Sequence, residues 1–160
     1  MKQLEAHSVA IGENTFYIRP LPAFKAANMS GELASLVLPV LTGLAPMLSG
    51  ANADKGLFDV DLEAAAPTIA EAFTSLSGDK LEAILKHLLI AGKNISYETS
   101  DSGKAVLLTE DAANELFCTE VQDMFMLAFE VIRTNYNGFF KKLAAQFGPA
   151  IQTTVQTVAR

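Results

Sequence analysis

Hydrophobic and polar positions alternate at residues 4–10 and 15–19 around Gly12-Glu13-Asn14. Leu4, Ala6, Val9, Phe16 and Ile18 on either side of that turn cluster predict a β-hairpin. Pro20 and Pro22 stop strand pairing, and Pro22 suits the first turn of a helix, where its missing N–H costs nothing. Helix formers follow from Ala23; Ser30 caps a second helix, or the first runs on through Gly31. The period then changes to three and four. Leu33, Leu36, Val37, Val40, Leu41, Leu44, Met47 and Leu48 share one helical face, and Leu38 and Ala45 extend the apolarity round the back. Pro39 and Pro46 kink or break that helix. Gly50 to Gly56 reads as a loop.

Asp61 is placed to cap a helix reaching about Leu76, with Leu62, Ile69, Phe73 and Leu76 inward and Pro67 disturbing its first turns. Ser77-Gly78-Asp79 starts a cleaner helix in which Leu81, Ile84, Leu85, Leu88 and Leu89 keep the pattern without a miss, and Gly92 ends it. Ile95–Thr99 and Ala105–Leu108 flank Ser100-Asp101-Ser102-Gly103, a second hairpin signal. Thr109 caps a short helix, with Glu110 and Asp111 in its first turn. Thr119 and Gln122 have capping-box spacing for the next. That helix carries Val121, Met124, Phe125, Ala128, Val131 and Ile132 on one side. The Val121/Phe125/Ala128/Ile132 stripe reads as core, whereas Met126 and Phe129 face the other way as a candidate subunit contact. Asn135-Tyr136-Asn137-Gly138 breaks the helix, and a further one is expected over Phe139–Phe147. The expected fold is mainly α (α+β): a helical domain over residues 1–147 with an N-terminal hairpin and a second short hairpin near residues 94–108. Residues 148–160 form a weakly helical or flexible tail.

Leu33 to Ala53 contains no charge over 21 residues. Its last five are small or polar, leaving roughly 16 truly apolar positions where a bilayer span needs about 20. Two prolines and no flanking basic or aromatic anchors weaken a membrane reading further. An internal core helix and a partner-facing strip both fit, because apolarity on more than one face exceeds the need of one core.

Composition narrows the functional classes. The chain of 160 residues is 50% hydrophobic with formal net charge −6. Six carboxylates against Lys55 between Glu32 and Phe73 give −5 there, so the remainder sums to −1. Lys141-Lys142 is the only adjacent basic pair, which disfavours nucleic acid and anionic membrane as partners. One cysteine, Cys118, excludes an internal disulfide and a multi-cysteine metal site. The first residues have no apolar signal-peptide core.

No phosphate loop, dinucleotide fingerprint, HExxH or GxSxG motif is present. His87 lies on the polar side of its helix beside Lys86 and reads as a surface histidine. Cys118 reads as a half-buried structural thiol rather than half of a thiol–imidazole pair. Asp59, Asp61 and Glu63 lack the glycine and terminal glutamate of a calcium loop and read as a solvated helix start. No cofactor, metal or catalytic residue is expected.

Three segments carry a family likeness. They are Phe16-Tyr17-Ile18-Arg19-Pro20-Leu21-Pro22-Ala23-Phe24-Lys25-Ala26 leading to Ser30–Leu36, then Leu76–Leu89, and then Leu107-Leu108-Thr109, Leu116-Phe117, Leu127–Ile132 and Asn135-Tyr136-Asn137-Gly138-Phe139-Phe140. In that order the chain resembles the tail assembly chaperones of tailed bacteriophages. The resemblance implies a non-enzymatic protein of the host cytoplasm. It would bind the hydrophobic tape measure protein, keep it soluble, and help recruit tail tube subunits. The candidate partner-binding residues are Leu33, Leu36, Val37, Val40, Leu41, Leu44, Met47, Leu48, Met126 and Phe129. Free chains are expected to form homo-oligomers that cover this apolar surface. The alternatives are a small structural subunit of a tail and, less favoured, a membrane-active protein.

Overall fold

The computed structural model describes residues 5–34 and 62–136. Strands β1 (His7–Ile11) and β2 (Asn14–Ile18) form the expected N-terminal hairpin. Ile11 pairs with Asn14, so the loop has two residues. Gly12 opens it at φ 60°, the II′ pattern that matches strand twist. Helix α1 covers residues 23–34. The carbonyl of Pro22 accepts the first helical bond from Ala26 N–H. Of the two routes through Ser30, the helix takes the continuous one: Ser30 Oγ donates to the Ala27 carbonyl and the helix passes Gly31.

Helix α2 (Leu62–Thr74) runs through Pro67 and buries Ile69 and Phe73, as the pattern required. Helix α3 (Gly78–Lys86) continues into a π turn at His87–Ala91. Gly92 then ends the helix for a reason other than the usual left-handed glycine. Its φ is −75°, and Lys93 at φ 49° takes the left-handed position. A Cβ on Gly92 would collide with Leu21 Cδ2 and stand 2.6 Å from Asn94 Oδ1.

The second hairpin, β3 (Ile95–Thr99) and β4 (Val106–Leu107), joins the first. β2 pairs antiparallel with β3 from Asn14↔Thr99 to Ile18↔Ile95, giving one four-stranded sheet in the order β1-β2-β3-β4. Asn94 ties the join. Its side-chain amide donates to the Arg19 carbonyl at 2.8 Å, and its own carbonyl accepts from Arg19 N–H at 2.9 Å. Phe16 and Ile18 point into the core, while Tyr17 on the other face donates to Glu98 at 3.0 Å. Accepting that proton, the Glu98 carboxylate holds the Tyr17 phenol above its usual pKa.

Helix α4 (Glu110–Phe117) is capped as its sequence dictates: Thr109 Oγ1 accepts from Ala112 N–H at 3.2 Å. Phe117 then stacks on Phe16, centroids 5.8 Å apart, fixing α4 to the sheet. Helix α5 covers residues 121–136 and starts one residue later than a Thr119 cap implies. It is the axle of the fold. The residues from Leu127 to Ile132 are buried in succession, more than a full turn, so every side of the helix is covered. Phe125 stacks on Phe73 of α2 at 5.3 Å. Tyr136 donates to the Ala26 carbonyl of α1 at 2.7 Å, and Asn135 Oδ1 accepts from Leu21 N–H. The Pro-Leu-Pro-Ala-Phe and Asn-Tyr segments, far apart in sequence, therefore meet. Glu130 is fully buried in α5, with His7 Nε2 of β1 at 3.4 Å and Arg133 Nη2 at 2.6 Å from its two oxygens.

Candidate partner-binding surface

The α5 axle decides which apolar side chains stay open. Phe129 is only 4% exposed because residues on all sides of the helix are covered there. Met126 is half-buried against the same core. Val121 departs from its expected core position: it is 49% exposed, since it stands at the first residue of α5, ahead of the covered stretch. Leu33 is 1% exposed and packs inside at the end of the described part of α1. Leu36, Val37, Val40, Leu41, Leu44, Met47 and Leu48 lie outside the described residues, as do the Asp61 cap and the helix expected over Phe139–Phe147.

The described residues form a different apolar concavity, between α3, α4 and the first turn of α5. Leu81, Leu85 and Ile90 of α3 and its π turn form one wall, with Leu89 buried behind them. Ala113 of α4 and Val121 and Met124 of α5 form the other, and Phe125, backed by Phe73, closes the floor. The cavity has a volume of about 330 Å³. Ile84 and Leu88 point the opposite way into the core, so α3 carries two apolar faces.

The rim is charged. Lys86 Nζ lies 2.7 Å from Glu82 and 3.0 Å from Glu110, bridging α3 to α4. The bond to Lys86 holds the Glu82 carboxyl below its usual pKa, and Glu82, then Glu110, hold the Lys86 ammonium above its own. Such solvent-facing pairs contribute little stability, but this one occupies the cation nearest the groove. From Ala105 to Ile132 the chain carries six carboxylates and no lysine or arginine. Glu110, Asp111, Glu115 and Glu120 are exposed, so the α4 side of the groove is acidic.

Reaction chemistry has little to draw on here. His87 is exposed, as expected, with Nδ1 3.4 Å from Glu32 of α1. Cys118 is exposed rather than half-buried, because it caps the end of α4 outside the core, and its thiol donates to the Glu115 carbonyl at 3.3 Å. No group of three or more His, Cys, Asp or Glu stands ready for a metal among the described residues. No helix among them is long and apolar enough to cross a membrane.

Leu81 and Leu85 share a helix with the core residues Ile84, Leu88 and Leu89, and an apolar stripe does not say which neighbour covers it, so the pattern alone does not reveal the groove. The readable signal was the acidic window that begins at Glu110.

A family model described as phage tail assembly chaperone protein matches residues 12–148. No curated protein and no solved structure gives a significant match.

Proposed function

Because the chain belongs to the phage tail assembly chaperone family, we propose that it binds the hydrophobic tape measure protein in the host cytoplasm. It keeps that client soluble and brings tail tube subunits to it, without catalysing a reaction. The observation that carries this reading is the family match across residues 12–148. An open apolar groove with an acidic margin is the equipment such a task needs. Apolar surface engages the client, and like charge keeps loaded chains apart in solution.

The uncharged strip is the second contact of this proposal. Leu36, Val37, Val40, Leu41, Leu44, Met47 and Leu48 meet the client; of the other expected contacts, Met126 is half-buried on α5, and Leu33 and Phe129 are enclosed in the core. Without client, chains associate with one another through the same strip.

Co-expression with the tape measure protein tests the function. The client is expected in the soluble fraction with the wild-type chain and in the pellet with Leu36→Asp/Leu44→Asp. Equal recovery with that variant removes the strip from the site. An insoluble client beside the wild-type chain removes the function. Finished virions are expected to lack the chain; a fixed copy number per virion would make it a structural subunit instead.

A further inference from the structure

On the chaperone reading of this chain, we propose that the α3–α4–α5 groove docks an amphipathic helix of the client, one carrying lysine or arginine beside its apolar face. Leu81, Leu85 and Ile90 line one side of the groove over about 13 Å, roughly two helical turns at 1.5 Å per residue, with Leu89 buried behind them. That length matches helix-in-groove recognition, in which side chains at i, i+3 or i+4, and i+7 enter one apolar channel. Met124 on the other side supplies an unbranched thioether that adapts to varied side chains. Val121, half in solvent at the lip, is a large apolar residue that the described residues leave half uncovered.

Charge selects the occupant. Glu82 and Glu110 line the groove, and exposed Asp111, Glu115 and Glu120 each adjoin a lining residue in the sequence; Lys86, the one cation lining the groove among the described residues, is engaged by Glu82 and Glu110. A basic helix finds unpaired carboxylates on this side. A second copy brings another chain of net charge −6 against them and is repelled. The same carboxylates turn away an anionic bilayer. The groove therefore adds a structured, charge-selective contact to the proposed strip.

The test is co-purification of co-expressed tape measure protein on tagged chaperone, with two variants and a photocrosslinker. Val121→Asp/Met124→Glu places charge in the groove. Asp at the first residue of α5 suits the helix dipole, so folding is retained. This variant is expected to lower recovered client at least about tenfold, the scale of losing interface hot spots. Glu115→Lys/Glu120→Lys is expected to lower recovery severalfold in about 50 mM salt and to match wild type in about 500 mM, where screening erases the difference. Benzoylphenylalanine at position 121 is expected to crosslink to client. The same probe at Phe24, 93% exposed on α1 and away from the groove, is expected not to. Crosslinking decides the matter if the groove variant fails to fold. Client recovered equally with wild type and both variants overturns the groove while leaving the chaperone function standing. Client insoluble with the wild-type chain overturns both. Crosslinking from position 121 only to a second copy assigns the groove to self-association and overturns the proposal.

Discussion

Gly31 and Gly92 should respond to the same added methyl group in opposite directions. Gly92 sits at φ −75° and ψ −20°, ordinary right-handed backbone, so alanine meets no conformational penalty there. Its Cβ would drive into Leu21 Cδ2 and stand 2.6 Å from Asn94 Oδ1. Both neighbours are buried, and Asn94 is held by its reciprocal bonds with Arg19 at the β2–β3 join. Overpacking costs about 1–3 kcal/mol, and loss of the Asn94 bond adds about 1. Gly92→Ala should therefore lose about 2–4 kcal/mol, which lowers Tm by roughly 10 °C for a chain of this size. Around a Cβ on Gly31, by contrast, no atom beyond its own helix backbone and chain neighbours lies within 4 Å among the described residues, and the residue is exposed inside α1. Alanine there should gain about 0.5–1 kcal/mol by relieving glycine's entropy cost. Thermal and urea unfolding followed by far-ultraviolet circular dichroism give both values under one condition. The expected order of stability is Gly31→Ala, wild type, Gly92→Ala. A Gly92→Ala protein that melts with wild type refutes the steric account of where the α3 π turn ends.

Arg133→Ala leaves the buried Glu130 carboxylate with His7 as its one remaining ion-pair partner within 4 Å among the described residues. Breaking a buried pair costs about 3–5 kcal/mol, and water reaching the partly exposed Arg133 position reduces this to about 2–3. Glu130→Leu in the Arg133→Ala background should recover most of the loss in urea melts; no recovery would mean the charge is not the cause. Burial pushes the Tyr136 phenol up to about 12, against about 10 in an unfolded chain. Its contribution to stability is therefore full below pH 10 and is lost as pH rises towards 12. Tyr136→Phe should cost about 1 kcal/mol at pH 8 through the bond to Ala26 and flatten the fall in Tm above pH 10. Tyr17, raised by Glu98, keeps part of that slope, so a slope unchanged in the variant would contradict the burial of Tyr136.

Local signals in this chain were legible where one residue answers to its immediate neighbours. The II′ glycine at position 12, the Thr109 cap and the Ser100–Gly103 turn each fix geometry within four residues. The merger of the two hairpins was not legible. β2 and β3 are separated by more than seventy residues, and only pairing across that gap, secured by Asn94, makes one sheet of them. The π turn at His87–Ala91 was hidden for a related reason. Leu81, Ile84, Leu85, Leu88 and Leu89 satisfy an α-helical period, so nothing in their spacing marks the wider turn.

The partner surface was harder to read than the fold because a binding protein has no reacting atoms to betray it. Counting apolar faces separates core from surface only where one side of a helix is covered, which is not the case for α5. Once residues 127–132 are buried on every side, Phe129 is enclosed and openness moves to the first turn, at Val121 and Met124. Charge was the better guide, but it was averaged away. The basic residues from Arg133 onward offset the acid of residues 105–132, so everything outside residues 32–73 sums nearly to neutral. Resolved by position, the second acidic block falls on α4 and the start of α5, beside the apolar groove. Carboxylates held next to uncovered leucine and valine impose two conditions at once: a client must be apolar enough to enter and basic enough to stay. On the proposed docking, that pairing makes the groove selective for a basic client helix over another copy of this acidic chain, and leaves self-association to the uncharged strip.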